Sequence, residues 1–127
     1  MVSVTISIDV PNLEEGVRFY SEAFGFSKAS EPVSGVAVLR LGTATVCLLE
    51  KAAGSSPFPE ANDLRRYERH WTPVHLDIHV DDLAEARVRA TRAGALEERV
   101  FVNEEHGSAV FLSDPFGHGF CLIEQRS

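Results

Sequence analysis

Residues 4–13 (VTISIDVPNL) and 74–83 (VHLDIHVDDL) carry one pattern, seventy residues apart. Val4, Ile6, Ile8, Val10 and Leu13 correspond to Val74, Leu76, Ile78, Val80 and Leu83. Thr5, Ser7 and Asp9 alternate with the first set, and His75, Asp77 and His79 with the second. Apolar residues at period two make a strand with one face on a hydrophobic layer. Asn12-x-x-Glu15 and Asp82-x-x-Glu85 then read as capping boxes, each opening a helix. The far ends of the two halves also match, as TVCLLEK (45–51) and GFCLIEQ (119–125). Both cysteines, Cys47 and Cys121, thereby fall at one equivalent position. A repeat matched at both ends, with helix caps between, implies two copies of one supersecondary unit.

Each half reads β-α-β-β-β. In the first, Leu13, Val17, Tyr20 and Phe24 recur at helical spacing and Gly25 is a fitting C′ residue. Short strands are expected over 26–30, 35–41 and 44–50, with a turn at 31–35 and a tight hairpin at Gly42-Thr43. In the second, Leu83, Ala86, Ala90 and Ala93 form a helical stripe ended by Gly94. Strands follow over 96–102, 108–113 and 119–124, with 114–117 as a turn. Residues 51–73 have no counterpart. Small residues and proline mark 51–59 as a linker, and 62–69 as a short polar helix. The fold expected is α+β, with two tandem βαβββ modules forming curved mixed sheets around a cavity. Module one is 1–50, the linker 51–73 and module two 74–127, all within one domain, 1–127.

At 127 residues, 44% apolar and 24% charged, the chain is long enough for a core that needs no disulfide or structural metal. No apolar run spans a bilayer. The start alternates as a strand and lacks a basic n-region, so it is not read as a signal peptide. A net charge of −7 without a basic stripe argues against nucleic acid, since Asp63 and Glu68 interrupt Arg65, Arg66 and Arg69. Two cysteines make no disulfide framework, and a reducing cytoplasm is expected.

The chain resembles the vicinal oxygen chelate superfamily, which groups glyoxalases, bleomycin-resistance proteins and extradiol dioxygenases. The resemblance rests on VPNLEEGVRFYSEAFGF (10–26), VHLDIHVDDLAEA (74–86) and LSDPFGHGFCLIE (112–124), and spans nearly the whole chain. The latter two stretches are most similar to its glyoxalase-like members. The resemblance implies a divalent cation held by His and Glu from the first and last strands of both modules. By position, His75 matches a first-strand histidine, and Thr5 stands where the other first-strand ligand would be. Cys47 and Cys121 stand where last-strand glutamates would be. One position of four therefore keeps the ligand type. Glu50 and Glu124 lie three residues further on, and strand alternation turns them to the opposite face. His79 is roughly 13 Å from His75 along an extended strand, too far to share an ion held at ~2 Å. No cofactor is therefore expected, with His75 the best ligand should a metal bind. A Cys47, His75 and Cys121 set suits zinc chemically, whereas in VCLL and FCLI a cysteine also packs as a small hydrophobe.

Asp77 and His79 are acid/base candidates, or polar residues on a wet strand face. Ser7, Asp9, Trp71 and Phe111, with Phe58, are candidates for a ligand wall. His106 reads as part of a hairpin turn and His118 as part of a glycine-rich one. The function expected is capture of a small organic molecule in the cavity between the two modules, as in the drug-resistance members, without the family's usual divalent-metal site. The alternative is a metal-dependent lyase, isomerase or dioxygenase-type enzyme stabilising an enolate or oxyanion; glyoxalase I itself is disfavoured, because its four ligands are not reproduced. A homodimer is expected from unpaired sheet edges and from Phe19, Tyr20 and Phe24, more aromatic surface than one helix stripe buries. No nucleic-acid or membrane partner is expected, and both cysteines should be free thiols.

Overall fold

A computed structural model describes residues 1–125. It has ten elements, which fall into two compact units, Met1–Tyr67 and Glu68–Ser127. The first holds β1 (Ile6–Val10), α1 (Leu13–Phe24), β2 (Ser27–Val33), β3 (Val36–Leu41) and β4 (Ala44–Glu50). The second holds β5 (Leu76–His79), α2 (Leu83–Ala93), β6 (Leu96–Asn103), β7 (Gly107–Ser113) and β8 (Gly119–Gln125). The fold is α+β, and each unit is βαβββ. The sheets are ordered β1-β4-β3-β2 and β5-β8-β7-β6. In each, the first strand runs parallel to the last and the remaining pairs are antiparallel.

In the first unit, Asn12 caps α1 by accepting from the Glu15 N–H (3.0 Å). Gly25 ends the helix at φ 89°, a conformation that favours glycine. Phe19, Tyr20 and Ala23 on α1 pack against Val10, Leu39, Val46 and Leu48, all buried. Gly16 lets helix and sheet approach closely, because a Cβ there would lie 3.1 Å from Leu48 and Val10. Phe19, Tyr20, Phe24 and Phe26 stack edge to face and tilted, at centroid separations of 5.1 to 6.4 Å. These aromatics are thus satisfied within one unit. Phe19 and Tyr20 are fully buried and Phe24 half-buried, which removes the excess apolar surface offered above as one ground for a dimer.

The second unit repeats the scheme with smaller side chains. Asp82 accepts from the Glu85 N–H (3.1 Å). Leu83, Ala90 and Ala93 pack over Val110, Leu112, Phe120 and Leu122. Asp114, itself buried, accepts from the backbone N–H groups of Phe116 (2.8 Å) and His118 (3.0 Å) and so shapes the turn before β8.

Several expectations are corrected. β1 and β5 begin at Ile6 and Leu76, two residues later than the alternation implies. β2 runs through Glu31-Pro32 to Val33. It is an edge strand with register shifts after Lys28 and Ser30, where a residue lacking an N–H is tolerated. Residues 62–69 are not helical. Their backbone is used otherwise: Gly54 donates to Arg65 O (2.7 Å) and Arg65 donates to Ser55 O (3.0 Å). The Arg65 side chain reaches Asp9 on β1 (2.7 Å), and the Tyr67 hydroxyl donates to Lys51 O (2.7 Å). Residues 51–67 are therefore fastened to the first sheet. No helix among the described residues is long and apolar enough to cross a membrane.

Candidate functional site

Strand pairing decides which polar side chains meet. In the second unit Asp77 on β5 is opposite Cys121 on β8, which is opposite Phe111 on β7. Residues directly opposite in a sheet share a face. His75, two residues before Asp77, lies on that face too, and its Nε2 is 3.1 Å from Asp77 Oδ1. Ligand-capable atoms of His75, Asp77 and Cys121 all lie within 4.8 Å of one another. Asp77 is thus paired with His75. His79 is exposed and opposite Ile123.

The equivalent row in the first unit is Ser7, Cys47 and Val38. Thr5 lies outside β1 and is exposed, and Cys47 is half-buried. Asp9, on the same strand face as Ser7, is held by Arg65 (2.7 Å). Burial pushes the nearby Tyr67 hydroxyl pKa up, with the Asp9 charge adding to it and Arg65 opposing. Only the second-unit row brings an imidazole, a carboxylate and a thiol together.

Glu50 and Glu124 do turn to the opposite face, and they have work there. Glu50 Oε2 accepts from Leu13 N–H (2.8 Å) and Glu124 Oε2 from Leu83 N–H (3.1 Å). Each last strand therefore supplies a carboxylate to the N-terminus of its own helix, where negative charge is favoured.

The His75–Cys121 corner opens into a pocket of about 120 Å³. Trp71, Thr72, Glu98, Phe111, Leu112, Gly119, Phe120 and Arg69 complete its wall. Trp71 and Phe111, foreseen as wall residues, are there; Phe58 is exposed in the first unit and is not part of it. Cys121 is buried, and desolvation, aided by the Asp77 carboxylate, pushes its thiol up to about 11. At neutral pH it is a protonated thiol, not a nucleophile.

Arg69, Thr72 and Glu98 were not singled out in the sequence. Arg69 Nε and Nη2 donate to the Glu98 carboxylate (2.6 and 3.0 Å), and Nη1 donates to the carbonyls of His70 and Gly117. The Glu98 carboxylate holds the Arg69 guanidinium above its usual pKa. His70 donates its backbone N–H to Gly117 O (3.2 Å), and its Nε2 is 2.9 Å from His118 Nδ1. Residues 69–72 thus form a strap along the pocket. Gly119 makes room for it, because a Cβ there would be 2.8 Å from Arg69 Nη2. The one cue in the sequence is that glycine at the start of the last strand. His106 is exposed beside Glu105 (3.8 Å) in the β6–β7 turn.

Residues 5–123 match a family described as a glyoxalase-like domain. Among curated proteins none matches the chain. Solved structures share its fold at low identity. The fosfomycin resistance protein FosX from Listeria monocytogenes is 16% identical, with a TM-score of 0.75 over 99% of this chain and 96% of that one. A variant of that protein, complexed with Mn(II) and 1S,2S-dihydroxypropylphosphonic acid, is 17% identical, with a TM-score of 0.72 over 96% and 90%. Lactoylglutathione lyase from Agrobacterium tumefaciens is 16% identical, with a TM-score of 0.64 over 97% and 92%.

Proposed function

Because the chain belongs to the glyoxalase-like domain family, we propose that it captures a small organic molecule in the pocket of its second unit. The observation that carries this reading is the meeting of an aromatic wall, Trp71 and Phe111, with the polar corner of His75, Asp77 and Cys121. Apolar walls supply affinity and a few convergent polar groups fix orientation. About 120 Å³ is below the ~300–1,000 Å³ of typical drug-sized sites, so the ligand, or the part of it held here, is small. The reading requires no cofactor. It treats residues 1–127 as one domain and places the protein in the cytoplasm as a homodimer. The test is thermal-shift screening of small organic molecules against wild type, Trp71→Ala and Phe111→Ala. Hits should stabilise wild type and lose their shift in both variants. Shifts that survive in both would put the ligand elsewhere and end this reading.

One observation favours a second reading, a metal-assisted enzyme. His75, Asp77 and Cys121 offer nitrogen, oxygen and sulfur within 4.8 Å, a donor set that fits a borderline cation such as zinc. A bound cation would act there as a Lewis acid toward a ligand oxygen. The chain's own part is to orient the imidazole against Asp77 and to release the Cys121 proton, which burial otherwise retains. Elemental analysis of purified wild type and His75→Ala decides it. Near-stoichiometric metal lost in the variant supports this reading and removes the metal-free one; no metal in either protein excludes it.

A further inference from the structure

Trp71 is 80% exposed, yet the backbone around it is pinned. Arg69 is clamped to Glu98 (2.6 and 3.0 Å). The His70 N–H is bonded to Gly117 O (3.2 Å), and the Thr72 hydroxyl donates to Val74 O (2.6 Å). An indole held in water on a fixed strap, at the rim of a pocket, is a preformed apolar face. A ligand that covers it pays little for ordering the site.

The charges around this face select among ligands. Arg69 is the basic side chain of the wall, and an arginine has five N–H donors. Nε and one Nη2–H serve Glu98 and Nη1 serves two carbonyls, so four of the five donors are engaged and the positive charge is already matched by the Glu98 carboxylate. Arg99, level with Phe111 at the far edge of the sheet, lies over Phe101 (5.9 Å) and outside the wall. Glu98 is neutralised by Arg69. Asp77 remains: a half-exposed carboxylate whose neighbours are the His75 imidazole and the Cys121 thiol. Asp77 lies behind the wall, its carboxylate within 4.8 Å of the His75 nitrogen and the Cys121 sulfur that line it; its charge attracts an ammonium group, and so does the quadrupole of the aromatic rings in the wall.

We infer that the second-unit pocket selects organic cations with a flat apolar body, such as aryl-alkyl amines. This inference deepens the ligand-capture reading and rests on it. The ring of such a ligand covers Trp71 and Phe111, while its ammonium group is directed to Asp77.

Three probes of one shape and different charge test it: benzylammonium, benzyl alcohol and benzoate, titrated calorimetrically into the full chain at neutral pH and low salt. Benzylammonium should bind about tenfold more tightly than either of the others. Asp77→Asn should bring the three within about twofold of one another. Trp71→Ala, an exposed position where the fold is not at risk, should weaken benzylammonium several-fold. Equal binding of all three by wild type, or preference for benzoate, overturns the cation inference and leaves the pocket reading standing. Failure of all three at millimolar concentration overturns both.

Discussion

Asp77 and Cys121 are direct neighbours across the parallel β5–β8 pair, and the carboxylate helps burial to keep the thiol protonated up to about pH 11. The ordinary value is 9.0, so between 9 and 11 an unfolded chain loses this proton while the folded chain keeps it. The unfolded state then binds fewer protons, and stability falls as pH rises through that window; below 9 the contribution is fully present. Urea unfolding of chelator-treated wild type and Cys121→Ala, below pH 9 and again near 11, checks this. The alkaline loss should be smaller in the variant, and equal losses would discard the assignment. In the native protein Cys47, which is half-buried, should react with iodoacetamide before Cys121.

The two last-strand glutamates make matched predictions. Removing the helix-capping carboxylate in Glu50→Ala or Glu124→Ala should cost roughly 1 kcal/mol each. The two losses should add, because the caps belong to separate units. Glu124→Gln keeps an acceptor oxygen and should lose less. Denaturant melts of wild type, the three single variants and the double alanine variant read this, and a change within error for both alanine variants would remove the capping role.

Gly119→Ala tests the strap. The new methyl would lie 2.8 Å from Arg69 Nη2, so the guanidinium must shift away from Glu98. The sheet itself should hold, since Arg69 is a surface side chain and exposed ion pairs contribute about 0–1 kcal/mol. Trp71 is the sole tryptophan, so fluorescence reports this one place. Its emission and quenching by iodide should change in the variant while the circular dichroism does not. Unchanged fluorescence would mean that the clamp does not position Trp71.

Assembly is open to sedimentation analysis. β6 is an edge strand exposed along its length, with Val100, Phe101 and Val102 uncovered. Such an edge is a pairing template. The expected result is a homodimer at low-micromolar concentration, weakened by Val102→Lys. A 14.0 kDa species throughout that range would rule the dimer out.

Much of the fold was legible because its signals are local. Asn12, Glu15 and Gly25 bracket α1, and period-two alternation marks the strands. The limits of α1, α2 and β4 coincide with expectation. The starts of β1 and β5 did not, because the alternation runs on through Val4 and Val74 while the pairing begins only at Ile6 and Leu76. The polar helix over 62–69 failed for a tertiary reason. Arg65 is drawn to Asp9, fifty-six residues away, and no local pattern encodes that. At the site, His75 and Cys121 were visible from repeat and resemblance. Asp77 was visible as a candidate but its contact with His75 was not, since period two places His75 and His79 equally far along the strand. Arg69 and Glu98 went unseen because their meeting depends on how a segment without regular structure crosses the edge of a sheet.

The capping glutamates also bear on synthesis. Leu13 waits for Glu50, and Leu83 for Glu124, while each first strand gains its parallel neighbour only when the last strand exists. Neither unit can be completed piecemeal, because its opening and closing residues stabilise each other over a long loop. On the ribosome the first sheet can close once β4 has emerged, and residues up to Tyr67 complete the unit. The second has Glu124 and Gln125 in its closing strand and can close only once those residues have emerged. A nascent polypeptide whose β8 has not yet emerged would thus present one finished unit and one open sheet, the state in which a chaperone or a protease would find it.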